Sequence, residues 1–147
     1  METKTASQLV AEARARIRNL TVEQVASQIE TGNVVLVDVR EAGELAEQGA
    51  IAGAVHAPRG MLEFYADPTS PYYRSELDPS ARTIVYCASG SRSALAGDLL
   101  GRLGYADVAS LEGGLKAWKA AGRPVVADER TDQDQRQGAA LREPVNA

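Results

Sequence analysis

Two short strand-like stretches constrain this chain more than anything else in it: "VVLVDV", Val34 to Val39, a β-branched and aliphatic run, and "RTIVYC", Arg82 to Cys87, a second strong strand. A strand with one wet face alternates apolar and polar residues, whereas a continuous β-branched run suits a strand buried on both faces, as in a parallel sheet covered by helices. After the second run, "SRSALAGDLLGRLGY" repeats Leu95, Leu99, Leu100 and Leu103 at helical spacing and stops at Gly104. Strand and helix alternate along the chain, which predicts an α/β fold, a doubly wound parallel sheet with right-handed crossovers in a single domain.

The remaining elements fit that plan. Leu9, Val10, Ala13, Ile17 and Leu20 recur with helical spacing, with Arg14, Arg16 and Arg18 mostly on other faces, and predict a leading amphipathic helix. "LTVEQVASQIETGN" predicts a second helix with Thr21 as N-cap, Gln24 in capping-box register and Gly32 as its stop. A short helix over Ala42 to Gln48, a brief strand about Ala54 to His56, a strand around Val108 to Leu111 and a helix in "LKAWKAAGRPV" complete the set. Met61 to Pro79 form a long connection with three prolines and the rings of Phe64, Tyr65, Tyr72 and Tyr73, which serve either as a lid or as a satellite core. From about Ala127 the chain is polar and predicts a weak helix or disorder.

Charge and composition remove several functions. A net charge of −4 over 147 residues leaves no broad basic surface for nucleic acid or an anionic membrane, so an anion site has to be local. One cysteine and one histidine assemble neither a disulfide nor a structural zinc or iron–sulfur site. Without a signal-peptide core or a membrane-length apolar run, the expected location is cytoplasmic.

The lone Cys87 sits where a parallel sheet presents ligands, at the carboxyl end of a strand and just before a loop and a helix N-terminus. The loop "ASGSR" can curl its N–H groups inward, with Gly90 free to take a positive φ, and such a nest holds an anion and favours a thiolate. Arg92 offers a two-pronged grip on an oxyanion. A cysteine closing a strand is by itself most often an inert small hydrophobe. Strand, Cys87, small-residue loop, Arg92 and helix together favour a nucleophile.

These residues and their neighbours resemble the rhodanese-like sulfurtransferase domain. "LVDVREAGELAEQGAIAGAVHAP" is similar to the family's amino-terminal signature, "YCASGSRS" to its active-site loop and "LEGGLKAWKAAGRPV" to its closing element. The resemblance divides the chain into a leading helix (1–19), a rhodanese-like domain (20–126) and a polar tail (127–147). It implies Cys87 as catalytic nucleophile and persulfide carrier, with the loop Ala88, Ser89, Gly90, Ser91, Arg92 and Ser93 as substrate-binding residues; no lysine stands beside Cys87, and Arg59 is a further cation able to contact the donor. The donor would be thiosulfate or a persulfide and the acceptor a thiol, cyanide or a protein sulfur acceptor, with no metal or organic cofactor.

Asp38 and Arg40 read as supporting residues, Arg40 through a partly buried pair with a carboxylate such as Glu41 or Glu44. His56 reads as a structural histidine in preference to half of a Cys–His dyad, and Trp118 as core. Two rivals stand beside sulfur transfer. One is a cysteine phosphatase or arsenate reductase, whose phosphate cradles are one residue longer than the four, Ala88 to Ser91, between Cys87 and Arg92. The other is a non-enzymatic regulatory module on the same fold.

Overall fold

The computed structural model describes residues 2–127, so the polar tail from residue 128 on lies outside the described residues. The elements run α1 (Ala6–Arg16), β1 (Arg18–Leu20), α2 (Val22–Thr31), β2 (Val34–Asp38), α3 (Ala42–Gln48), β3 (Val55–His56), a 3-10 turn (Arg59–Met61), α4 (Leu62–Ala66), β4 (Arg82–Tyr86), α5 (Ser91–Arg102), β5 (Asp107–Leu111) and α6 (Gly114–Ala120). The five strands form one parallel sheet in the order β1-β5-β4-β2-β3.

The continuous aliphatic runs are buried on both faces because the strand pleat sends alternate residues to two separate clusters. Leu36, Ile84, Tyr86, Ala109 and Leu111 meet Val25 of α2 and Trp118 of α6 on one side. Val37, Val85 and Cys87 meet Leu62 and Ala66 of α4 and Ala96 and Leu100 of α5 on the other. This is the doubly covered sheet that the runs predict.

Strand order also explains where a ligand belongs. The chain leaves β2 toward β3 on one side and leaves β4 toward β5 on the other, so the connections diverge beyond the carboxyl ends of β2 and β4. Ligands of open α/β sheets occupy such a switch point. Cys87 follows the last residue of β4, Tyr86, which is paired with Asp38 of β2.

Local sequence accounts for most boundaries. Thr21 caps α2 with its hydroxyl on the Gln24 amide at 3.2 Å, Gln24 returns the bond at 2.9 Å, and Gly32 ends the helix at φ +80°. The leading helix is shorter than its apolar spacing implies. It ends at Arg16, and Arg18 to Leu20 extend into an edge strand against β5, so Leu20 reaches the core from a strand. Three residues carry no period, which is why this strand is hidden in the sequence.

The long connection is partly core. Leu62, Ala66 and Leu77 are buried, Tyr65 packs against the same cluster beneath the Arg74 guanidinium at 5.1 Å, and the Tyr73 hydroxyl donates to the Leu77 carbonyl. Phe64 and Tyr72 remain exposed and meet edge to face at 6.4 Å. Among the described residues no helix is long and apolar enough to cross a membrane.

Candidate active site

Cys87 leaves β4 with its side chain buried, 1% exposed, at the base of the loop that Gly90 closes. Gly90 takes φ +107° as N-cap of α5, a conformation suited to glycine, and its N–H donates to Cys87 Sγ at 3.1 Å. The Ser93 N–H donates at 3.4 Å, and the Ser93 hydroxyl lies 3.5 Å from the sulfur. Burial pushes the thiol pKa up, but the Ser93 hydroxyl and the amides of Ser93, Gly90 and Ser89 outweigh it, and the net shift is downward. The sulfur therefore sits in a nest of donors that favours the thiolate.

Ser93 is fully buried and its hydroxyl also approaches the Gly90 carbonyl at 3.2 Å and the hydroxyl of buried Ser110, on β5, at 2.8 Å. The loop backbone is held from the far side by α6, whose Leu115 and Lys116 amides donate to the carbonyls of Cys87 and Ala88 at 2.9 and 3.0 Å. That close approach requires Gly114 at φ +61°, because a Cβ there would lie 2.6 Å from the Cys87 carbonyl oxygen.

Arg92 does not extend a free fork toward the loop. Its Nη1 and Nη2 donate to Glu44 Oε2 and Oε1 at 2.8 and 2.7 Å, a bidentate pair between α5 and α3. The Arg92 guanidinium holds the Glu44 carboxyl down to about 2, burial opposing and the Glu41 amide assisting, so the pair is ionised throughout the neutral range. Arg59 is likewise engaged, with Glu63 at 3.2 Å, and no hydrogen bond joins it to the loop among the described residues. Ser89 and Ser91 are exposed at the rim and Ala88 is half-buried.

Asp38 and Arg40 form the supporting unit, with a different partnership from the one expected. Arg40 pairs with Asp38 itself, Nη2 to Oδ2 at 2.7 Å and Nε to Oδ1 at 3.0 Å, and not with the side chain of Glu41 or Glu44. Both are essentially inaccessible, and in this confined geometry the fork meets the neighbouring carboxylate with a hydrogen bond to each of its oxygens. Arg40 Nη2 also donates to the Gly49 carbonyl at 2.8 Å, and the guanidinium lies 5.6 Å from the centre of the Tyr86 ring. His56 Nε2 is 2.7 Å from the Arg40 carbonyl, so the histidine joins this unit and not the cysteine.

Sequence reasoning brought Cys87, Gly90 and Ser93 together, named Glu44 as a partner for Arg40 and not for Arg92, and missed Ser110. The Glu44 role had one local signal, its capping-box position three residues after Glu41, whose amide donates to Glu44 Oε2 at 2.8 Å. Beside Ala88 a cleft of about 270 Å³ is lined by Glu44, Leu115, Lys116 and Lys119 among others. Among the described residues no group of three or more His, Cys, Asp or Glu is placed to hold a metal ion.

A parallel α/β domain with one hydrogen-bonded cysteine at its switch point is the class that fold and site define. The family model for the rhodanese-like domain matches residues 21–121, and the chain belongs to that family. A sulfurtransferase from Allochromatium vinosum is 37% identical over 100 residues, 68% of this chain and 85% of that protein. Among solved structures, a protein of unknown function from Rhodopseudomonas palustris, described as a possible tyrosine phosphatase, is 37% identical with a TM-score of 0.81, covering 86% of this chain and 97% of its own. The polysulfide-sulfur transferase homodimer from Wolinella succinogenes is 29% identical with a TM-score of 0.67, covering 82% and 85%. Family and relatives support a sulfurtransferase role.

Proposed function

We propose that this protein moves a sulfane sulfur from thiosulfate, a persulfide or a polysulfide to a thiophilic acceptor through a persulfide on Cys87. The observation that carries the reading is the set of donors on Cys87 Sγ from Gly90 and Ser93, which holds the thiolate without a catalytic base. The thiolate attacks the outer sulfur of the donor; the Cys87–S bond forms, the donor's S–S bond breaks, and sulfite or another low-pKa group leaves with the bonding pair. The loop amides then hold the terminal persulfide sulfur, an anion, as they hold the thiolate. In the second half-reaction a thiolate or cyanide takes that terminal sulfur and the Cys87 thiolate returns. With no second cysteine in the chain to resolve the persulfide, it waits for an external acceptor, so the kinetics are ping-pong.

The Wolinella relative, by its description, favours including polysulfide among donors. The Rhodopseudomonas neighbour's description favours a second reading, phosphate-ester hydrolysis on the same cysteine. Against it stand the short loop and the engagement of Arg92 with Glu44, which takes the fork that a phosphoryl group would need. Intact-mass measurement after thiosulfate treatment tests the reading: Cys87 gains one sulfur atom, cyanide removes it, and Cys87→Ser does neither. Robust p-nitrophenyl phosphate hydrolysis that is lost in Cys87→Ser, with no sulfur uptake, would overturn it in favour of the phosphatase.

A further inference from the structure

The cations that the loop's own sequence neighbourhood offers are neutralised. Arg92 is paired with Glu44, Arg59 with Glu63 and Arg40 with Asp38. Besides Lys116 and Lys119 of the cleft on Ala88, one arginine near the loop has no counter-charge, and it comes from α1, outside the family match: Arg14 is exposed and its side chain makes no hydrogen bond or ion pair among the described residues. Its guanidinium lies over Gly90, where an ideal Cβ would stand 3.5 Å from Arg14 Nη2 and 3.3 Å from the Gly113 amide nitrogen. Since the Gly90 N–H is itself 3.1 Å from Cys87 Sγ, the guanidinium is within about 10 Å of the sulfur.

We propose that Arg14 binds the oxyanion end of the sulfur donor, a sulfonate-like group such as that of thiosulfate, while the donor's sulfane sulfur meets Cys87; this rests on the sulfur-transfer reading above. The length fits. One S–S bond, one S–O bond, the contact of the sulfane sulfur with Sγ and a hydrogen bond from the guanidinium together reach about 10 Å, enough to bridge a separation of no more than that. The position is built by the fold. Ala13 is buried and α1 packs on α5; Arg16 pairs with Asp98 of α5 at 3.0 Å, and Ile17 fills the space beside Gly97, where a Cβ would meet it at 3.0 Å. Asn19 Nδ2 donates to the Arg14 and Ile17 carbonyls at 3.0 and 3.3 Å and fixes the end of the helix. With Ala13 inward and Arg16 on Asp98, Arg14 is directed to the loop. Glycine at position 90 takes φ +107° and lets the Gly113 amide nitrogen approach to 3.3 Å of where a Cβ would stand, while the Arg14 guanidinium lies at ordinary contact distance beside it. On a chain of net charge −4, an uncompensated arginine beside the loop adds to the field that draws a dianion to the thiolate.

The test compares Arg14→Ala, Arg14→Lys and Arg14→Glu with Lys116→Ala, since Lys116 lines the cleft on Ala88 and is the alternative cation. In steady-state assays with thiosulfate, Arg14→Ala is expected to raise KM about fivefold with kcat within about twofold, Arg14→Glu to raise it further, and Arg14→Lys to lie between. A second readout is independent of sulfur transfer: the ratio of Cys87 alkylation rates with anionic iodoacetate and neutral iodoacetamide. That ratio should fall about fivefold in Arg14→Ala and lose its salt dependence. Failure of the unmodified protein to take up sulfur would defeat the sulfur-transfer reading, and the alkylation ratio would still decide whether Arg14 receives an anion. An unchanged KM and an unchanged ratio in Arg14→Glu, or effects found in Lys116→Ala instead, would overturn the assignment.

Discussion

Ser93 has one hydroxyl proton and three neighbours that can accept it: Cys87 Sγ at 3.5 Å, the Gly90 carbonyl at 3.2 Å and Ser110 Oγ at 2.8 Å. When Ser110 donates to Ser93, the Ser93 proton is shared between the Gly90 carbonyl and the thiolate and no longer goes to Ser110, so Ser110 acts as a positioning residue through Ser93. Ser93→Ala removes the hydroxyl while keeping the amide, and the loss of one such bond, worth about 1 kcal/mol, is expected to slow Cys87 alkylation about fivefold at neutral pH and move its pH profile upward. Ser110→Ala should move the profile the same way by less. A Ser93→Ala profile that superimposes on that of the unmodified protein would remove the hydroxyl from the account. At this scale the site was legible where it is local. Cys87, Gly90 and Ser93 fall within one loop, and Gly90 had to be a residue tolerant of positive φ. The rest is set by tertiary contact: Ser110 lies 17 positions from Ser93, Glu44 lies 48 positions from Arg92, and the sequence spacing of Arg14 says only that it leaves the apolar face.

Elements show the same division. The capping box on α2 is written within four residues and was read in full, but the switch from helix to strand between Arg16 and Arg18 is decided by the open edge of β5. Two element-scale contacts bear on the loop. The first is the α6 N-terminus against the cysteine loop, where Gly114→Ala places a Cβ 2.6 Å from the Cys87 carbonyl oxygen in a left-handed conformation. Strain and overpacking together are expected to cost about 2 to 4 kcal/mol, read by urea unfolding, with sulfur uptake lost in parallel. A cost under about 1 kcal/mol would mean that α6 yields without disturbing the loop. The second is Glu44, which joins α3 to α5. Its folded pKa, about 2, lies below the ordinary 4.5, so its stabilising contribution is complete above about 4.5 and is lost as pH falls toward about 2. Glu44→Gln keeps an acceptor for the Glu41 amide but removes the charge facing Arg92, so stability should become flatter across that window. The pair is about a third exposed and screened, which limits the effect to about 1 kcal/mol. Unfolding curves with the same acid dependence in both proteins would show that the pair contributes nothing.

The whole molecule depends on one buried charge pair at the carboxyl end of β2. Arg40 and Asp38 are 1% and 0% exposed at the end of β2, and Arg40 reaches the Gly49 carbonyl after α3, the Tyr86 ring on β4 and, through its own carbonyl, His56 on β3. Taking two charges out of water is costly, and the pair is tolerated because each is met by its partner and by further hydrogen bonds. Removing one member leaves the other buried and uncompensated, a loss of about 3 to 5 kcal/mol. Domains of this size are stable by only about 5 to 15 kcal/mol, so one substitution here removes a large share of the total. Arg40→Met is therefore expected to lower Tm by about 10 °C or more with the urea m-value unchanged. Arg40→Met combined with Asp38→Leu should recover much of that loss, since paired apolar replacements avoid the stranded carboxylate. Should the double variant be no more stable than Arg40→Met, the penalty would lie in lost packing around Tyr86 and Gly49 and not in the buried Asp38 charge.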